Sequence, residues 1–327
     1  MPPAGTGEGH GMDLNDAVVV VTGASSGIGR AAAKRFAAQG ARVVVTARRT
    51  QALTDLVSEL GPDRALAVPG DISDPAVAER VATAAVERFG RLDVWVNNAS
   101  VVAFGRVQDM PPEAFARVIE VNVLGYANGA RAAHPHLKAS KGTLVQVTSL
   151  NGRVPAPYYS PYITSKFAVT GMALSLRQEW RPDGISVAVV LPASVDTPLF
   201  HTAGNWYGRR VKAIMPANDP NRIARRIVAA AKRPRRTMPA GFGARPLLVG
   251  EALAPRVVER VTALQAPFNN YDAGDAVPPS PGNLFEPSDL LATERGGWAH
   301  RTRRLAALAA VPVAAVAARG AARVLRR

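Results

Sequence analysis

A doubly wound parallel α/β sheet with helices on both faces is the fold that this chain of 327 residues predicts. Three observations carry the prediction. The run Ala17-Val18-Val19-Val20-Val21 leads straight into Thr22-Gly23-Ala24-Ser25-Ser26-Gly27-Ile28-Gly29, which reads as strand, glycine turn and helix. Short segments rich in Val or Leu then alternate with helix-length ones, as parallel strands joined by crossovers require. Tyr162 and Lys166 stand four residues apart behind Ser160-Pro161, a helix start that puts both side chains on one face.

Each element has a local reason. The continuous apolar run at 17–21 suits a strand buried on both faces. Ala31, Ala32, Phe36 and Ala37 continue the first helix to Gly40. Further strands are expected at Arg42 to Thr46, Ala65 to Pro69, Leu92 to Asn97, Thr143 to Thr148 and Ile185 to Leu191. Helices are expected at Thr50 to Leu60, Asp74 to Phe89, Pro112 to His136 and Pro161 to Trp180. Asp74 is an N-cap residue followed by a proline at the first helical position, and Ser160-Pro161 repeats that arrangement. Pro182 ends the last of these helices.

Two of these features carry chemistry. Gly23, Gly27 and Gly29 let the backbone turn sharply and approach a pyrophosphate, whose charge meets the free amides at the helix start. An ammonium beside a phenol favours the phenolate, lowering a pKa that is about 10 in water and bringing Tyr162 toward proton exchange at neutral pH.

Asp71 after a strand, Asn97-Asn98-Ala99, Asn122, Ser149 and Pro192 to Thr197 occur in order with these motifs. In this the chain resembles the short-chain dehydrogenase/reductase family, in its shorter single-domain branch, from about residue 16 to about residue 235. The resemblance implies a Rossmann-type catalytic domain over residues 16–240, acting as an oxidoreductase on a small-molecule carbonyl or alcohol, in a homodimer or homotetramer. It implies a nicotinamide cofactor held by Gly23, Ser25, Ser26, Gly27, Ile28 and Gly29. Asp71 would bond the adenine amino group and Asn98-Ala99 would pass under the cofactor, with Ile72, Tyr162, Lys166, Pro192, Val195 and Thr197 among the other contacts. Ser149 would bond the substrate oxygen and Tyr162 would transfer the proton. Lys166 would lower the Tyr162 pKa and bond the nicotinamide ribose, and Asn122 would hold a water linking Lys166 to solvent. Ser100 and Ala193 stand where the family carries glycine, so each adds a Cβ beside the nicotinamide.

Cofactor choice turns on the end of the second strand. Ala47 occupies the place where an acid would bond a ribose 2′-hydroxyl, and Arg48 and Arg49 follow it. A planar guanidinium matches a 2′-phosphate, so NADP(H) is expected, the other reading being two solvated arginines. Two other functions are open to the sequence: a catalytically silent cofactor-binding protein with a membrane- or partner-binding tail, and a family epimerase or dehydratase. Intact Ser149, Tyr162 and Lys166 oppose the first, and the glycine spacing opposes the second.

Composition narrows the partners. There is no cysteine, which excludes thiol chemistry and disulfides. Residues 1–15 lack a basic and then apolar run and read as a loose tail, so a cytoplasmic protein is expected. The net charge of +15 is uneven. Residues 1–200 hold 19 Lys or Arg against 17 Asp or Glu, and residues 201–327 hold 21 against 8. The amphipathic stretch 221–228, with arginines on one side, reads as a solvated helix face. No nucleic-acid recognition element accompanies the basic residues, so no nucleic-acid partner is expected.

Aromatic Phe200, Trp206 and Tyr207 follow Thr197 in a segment resembling the family's substrate loop and suggest an apolar substrate. His201 beside them reads as a surface histidine. Residues 241–300 are expected to be an extension with one helix, Ala254 to Leu264, covering the substrate cleft or a dimer interface, followed by a Pro/Gly-rich linker from Pro267 to Pro287. In the basic, Ala-rich tail 301–327, the uncharged run Leu305 to Ala318 spans about 21 Å as a helix, short of the ~30 Å hydrocarbon core. Its alternatives are peripheral contact with an anionic membrane, a disordered tail, or a helix docked on a partner subunit.

Overall fold

The computed structural model describes residues 12–298 apart from 289 and 291. The expectations for residues 1–11 and for the tail 301–327 therefore lie outside the described residues. Residues 12–15 are not a loose tail: the Met12 amide donates to Lys232 O, and Leu14 is buried in the core.

Seven parallel strands form the central sheet. The chain runs β1 (Val18–Thr22), α1 (Gly27–Ala37), β2 (Arg42–Thr46), α2 (Thr50–Leu60), β3 (Ala65–Ala67), α3 (Pro75–Phe89) and β4 (Val94–Asn97). It continues through β5 (Ala103–Phe104), α4 (Pro112–Ile119), α5 (Gly125–Ser140), β6 (Thr143–Val147), α6 (Ser160–Glu179) and β7 (Ser186–Pro192). Then come β8 (Gly204–Asn205), β9 (Arg209–Val211), α7 (Pro220–Lys232), β10 (Met238–Ala240), α8 (Ala244–Leu253), α9 (Pro255–Asn269) and β11 (Tyr271–Ala276). The central order is β10-β7-β6-β4-β1-β2-β3. The winding reverses between β1 and β4, so the carboxyl ends of these two strands open a crevice where a ligand can bind.

The valines of β1 explain the two layers. Val19 and Val21 face one side with Val43, Val45, Phe36 and the α7 residues Ile223 and Ile227. Val18 and Val20 face the other with Val44, Val81, Ala85 and Leu137. Alternation along a strand gives each face its own core, which is why the run is apolar throughout. On α7 the arginines 222, 225 and 226 stand on the exposed side, as the amphipathic pattern requires.

Local chemistry set several boundaries well. The Asp74 side chain accepts from the Ala76 amide at 2.9 Å and caps α3. Ser160, expected to be a cap, is instead the first residue of α6, and Tyr159 takes the cap position. The single helix expected over 112–136 is α4 and α5 joined by a π-helical segment, Glu120–Leu124, and it runs past Pro135 to Ser140. The expected linker contains β11, which pairs antiparallel with β9. The extension has two helices where one was expected. The side chains of Val257 and Leu264 on α9 are exposed in the single chain.

Helix α5 lies tight against β4. The Trp95 indole N–H donates to Asn97 Oδ1 at 2.8 Å, and Asn97 Nδ2 donates to Tyr126 O at 2.9 Å. A Cβ on Gly129 would stand 2.5 Å from Asn97 Oδ1 and 2.7 Å from Trp95 Nε1. Alanine favours a helix over glycine by about 1 kcal/mol, but the clash costs about 1–3 kcal/mol. Gly129→Ala should therefore lower the urea midpoint of unfolding, and a raised midpoint would contradict this packing. Among the described residues no helix is long and apolar enough to cross a membrane.

Candidate active site

The crevice is built from the glycine turn upward. Gly23 and Gly27 have φ of +68° and +57°, and a Cβ on Gly23 would fall 2.6 Å from the Ala99 Cα. A Cβ on Gly29 would fall 2.3 Å from Gly23 O, so this glycine closes turn against helix without lining the cleft. Thr22 Oγ1 accepts from the amides of both Asn98 and Ala99, at 2.9 and 3.0 Å, and Asn98 Nδ2 donates to Thr22 O at 2.9 Å. Asn98 thus ties the end of β4 to the turn after β1.

One continuous cleft is lined by Gly23, Ser25, Ser26, Gly27 and Ile28, by Arg48, Arg49, Asp71 and Ile72, by Asn98 and Ala99, and by Tyr162, Lys166 and Thr197. Fourteen expected contacts therefore share one space. Pro192 and Val195 do not line it, and neither does Ala193, whose side chain packs into the core. Of the two departures from glycine, only Ser100 faces the cleft.

The structure fits a dinucleotide on its own terms. Ser26 makes no side-chain cap on α1, and although the Gly27 amide donates to Thr293 O, the next amides, of Ile28 and Gly29, face no such partner among the described residues and can meet an anion. The close-packed glycines leave room for a pyrophosphate where any Cβ would intrude. Thr46 Oγ1 and Ser100 Oγ are buried along the cleft without a hydrogen-bond partner among the described residues, as ligand-facing hydroxyls would be.

At the other end lie the proton-handling groups. Lys166, 1 % exposed, points beneath Tyr162, its Nζ 5.4 Å from that ring's centroid. The Nζ atom has two long hydrogen bonds, to Tyr126 Oη and Val147 O, both 3.5 Å. Burial pushes the Lys166 pKa down to about 7. Burial likewise pushes Tyr162 up to about 12, opposed by a hydrogen bond with Ser149. The expected lowering of the Tyr162 pKa by Lys166 is thus not what the protein's own groups produce. Desolvation outweighs the ion–phenol attraction, because the same burial strips charge from the lysine.

Ser149 caps the short 3-10 turn Leu150–Gly152 and its Oγ accepts from the Asn151 amide at 3.1 Å. Asn151 Nδ2 in turn donates to Tyr159 Oη at 2.9 Å. Asn122 is fully buried in the π-helical segment, a local widening often found at functional sites. Its Oδ1 accepts from Val101 N at 2.9 Å, and its Nδ2 donates to Val101 O and Ser165 Oγ at 2.9 and 3.0 Å. The carboxamide is spent on holding the loop after β4 against α6.

Sequence reasoning missed three contributors. Tyr126, whose Oη donates to Val147 O at 2.8 Å, is the platform for Lys166; its spacing of four from Asn122 was the available signal. Arg117 pairs with Asp71 and donates to Ser73 Oγ at 2.9 Å. Burial alone would raise the Asp71 carboxyl, but bonds from Ser73 and Arg117 hold it below its usual value. The third is the segment after β11, of which Asn283, Pro287, Ser288 and Leu290 line the cleft. His201, read as a surface histidine, is exposed, and its ring stacks on Trp298 with centroids 4.3 Å apart.

A profile of the short chain dehydrogenase family matches residues 17–208, and the chain belongs to that family. It is an oxidoreductase of this class. An uncharacterized oxidoreductase, YxnA, of Bacillus subtilis is 36% identical over 261 residues, which are 76% of this chain and 72% of the relative. A short-chain dehydrogenase from Streptomyces avermitilis has a TM-score of 0.66 at 30% identity, covering 75% of this chain and 95% of that one. A 3-ketoacyl-(acyl-carrier-protein) reductase from Brucella melitensis, solved with NADH, has a TM-score of 0.64 at 28% identity, covering 71% and 99%.

Proposed function

We propose that the chain is an NADP(H)-dependent oxidoreductase interconverting a carbonyl and an alcohol, with Tyr162 as proton donor and acceptor. One observation carries this reading: Tyr162, with the Ser149 hydroxyl beside it, stands over buried Lys166, and Tyr162 and Lys166 line one end of a cleft whose other end is the glycine turn. Such a pair of hydroxyls can polarise a carbonyl oxygen and protonate it. The cofactor, when bound, supplies or takes up the hydride. In the reducing direction Tyr162 Oη gives its proton to the substrate oxygen while Ser149 Oγ holds that oxygen in place. Lys166 sets the charge beneath the phenol, and Tyr126 and Val147 fix its ammonium.

The 2′-phosphate reading rests on Ala47, which offers no acid to a ribose diol, and on Arg49. The Arg49 Nε and Nη2 donate to Ser25 Oγ at 3.3 and 3.2 Å and its Nη1 to Ser288 O and Leu290 O at 3.3 and 3.1 Å, so its positive charge stands beside the glycine turn, and a 2′-phosphate would have to compete with those two carbonyls. Steady-state kinetics with the two cofactors should give NADPH a kcat/KM at least about tenfold above that of NADH, a difference of about 1.4 kcal/mol. A preference for NADH would overturn the assignment. An apolar substrate is supported by the aromatic cluster packed with Tyr162, in which Tyr159 touches Phe104 at a centroid distance of 5.1 Å and Tyr207 stacks on Tyr271 at 3.6 Å. A homo-oligomer is proposed on family grounds, and the exposed Phe167 of α6 is consistent with a further contact there.

A further inference from the structure

The segment after β11 lies across the nucleotide cleft. It starts at the β8 edge, where Asn205 and Ser280 exchange backbone hydrogen bonds of 2.7 and 2.9 Å. Leu284, with no exposed surface, then plugs a small apolar cluster that includes Val118 and Val121. Thr293 O accepts from the Gly27 amide at 2.9 Å, and the Trp298 indole N–H donates to Thr197 O at 3.2 Å. The strap therefore touches the adenine end of the cleft, the glycine turn and the loop after β7 in succession.

Arg48 holds it there. The carbonyls of Asn283, Leu284 and Phe285 converge on its guanidinium at 2.5, 3.1 and 3.0 Å. A guanidinium has five N–H donors, so three carbonyls leave Arg48 little to offer a phosphate. Its role is to anchor the strap. The side chain of Asn283 has no such use: its Oδ1 is buried, borders the cleft and has no partner among the described residues. Leaving an acceptor in that state is costly, and a ligand amino group would satisfy it. Asp71, the other acceptor at this end, is already bonded by Ser73 through one oxygen and by Arg117 through the other.

We infer that the strap forms the adenine-binding wall of the site: Asn283 Oδ1 accepts from the exocyclic amino group of the adenine ring, and the dinucleotide enters or leaves only when the strap lifts. This rests on the reading of the cleft as a nicotinamide-dinucleotide site. It assigns a binding role to a segment beyond the residues 17–208 that match the family.

The test uses the full chain and two nucleotides, NADPH and its hypoxanthine analogue, in which a carbonyl replaces the adenine amino group. Wild type should bind NADPH at least about tenfold more tightly, since a missing hydrogen bond to a buried acceptor costs about 1–3 kcal/mol. In Asn283→Leu, which keeps the backbone carbonyl on Arg48, the ratio should fall to near one. An unchanged ratio would overturn the role of Asn283. For the strap, a Cβ on Gly296 would lie 2.3 Å from Thr197 O, so Gly296→Val dislodges its end without touching Tyr162 or Lys166. Stopped-flow displacement of NADPH should show release at least about tenfold faster than wild type, and an equal rate would refute the clamp. Should the valine variant not fold, Trp298→Ala, which loses the bond to Thr197 and the stack on His201, gives the same comparison. If wild type binds neither NADPH nor NADH, the cofactor reading itself fails and the inference falls with it.

Discussion

Replacing Tyr162 by Phe should lower kcat by about 10²–10⁴-fold, the range that positioned proton transfer contributes, while the dissociation constant for NADPH stays within about threefold, under 1 kcal/mol. Only one oxygen is removed. The ring keeps its place beside Tyr159, with centroids 6.1 Å apart, and above the Lys166 ammonium. The separation of effects discriminates between readings of the site. A silent dinucleotide-binding protein would show no turnover to lose, and a site whose proton came from Ser149 or solvent would keep most of it. Burial pushes the Tyr162 pKa up to about 12 against the opposing bond with Ser149, so the phenol holds its proton throughout the neutral range. Carbonyl reduction, which uses that proton, should therefore be insensitive to Tyr162 ionisation below about pH 10, whereas alcohol oxidation, which needs the phenolate, should rise with pH. Initial rates measured in both directions against pH, with the Phe variant as reference, test the assignment; a variant retaining more than about a tenth of wild-type kcat would end it.

The parts legible in the sequence are those whose cause is local. The Val run of β1, the glycine turn, the Asp74-Pro75 start of α3 and the Tyr162–Lys166 spacing each express a rule of a few residues, and each appears where that rule puts it. The two-residue strands β5 and β8 and the three-residue strands β9 and β10 have no period to detect; they exist because a distant partner is in register. Asn122 shows how far residue type alone can carry an argument. It identified a buried polar group near Lys166, but the direction of its carboxamide depends on Val101 and Ser165 arriving from other elements.

Illegibility was greatest for the strap, for a general reason. Arg48 grips it through backbone carbonyls, which every residue carries, so the contact leaves no mark on side-chain identity. Pro- and Gly-rich composition announced an extended linker from Pro267 to Pro287, yet that stretch begins inside α9 and contains β11, and only its last residues belong to the strap. It did not announce that such a segment, freed from internal hydrogen bonding, offers its carbonyls and amides to a neighbouring domain surface. Arg48, expected to meet a 2′-phosphate, has the chain itself as its ligand in the structure.

Lys166→Met should abolish turnover and yet give a more stable protein at neutral pH. The ammonium is 1 % exposed, and among the described residues it has no acid against it and two hydrogen bonds of 3.5 Å, so its hydration is poorly replaced. Burial lowers its pKa from 10.5 to about 7. At about 1.4 kcal/mol per pKa unit this corresponds to a penalty of several kcal/mol on the protonated form. Between those two values the unfolded chain binds one more proton than the folded one, so wild-type stability rises as pH increases from about 7 to about 10; below about 7 both states are protonated and the full penalty applies. Methionine fills similar space without charge and should remove both the penalty and that slope. The expected outcome is a Tm higher by at least about 3 °C at pH 7, a flatter Tm profile between pH 7 and 10, and kcat reduced by at least about a hundredfold because the phenol has lost the charge beneath it. Calorimetry and rate measurements on one preparation read all three. A variant that is both inactive and less stable would mean that Lys166 supports the fold, whereas gain of stability with loss of rate marks a residue kept for chemistry at a cost to the core.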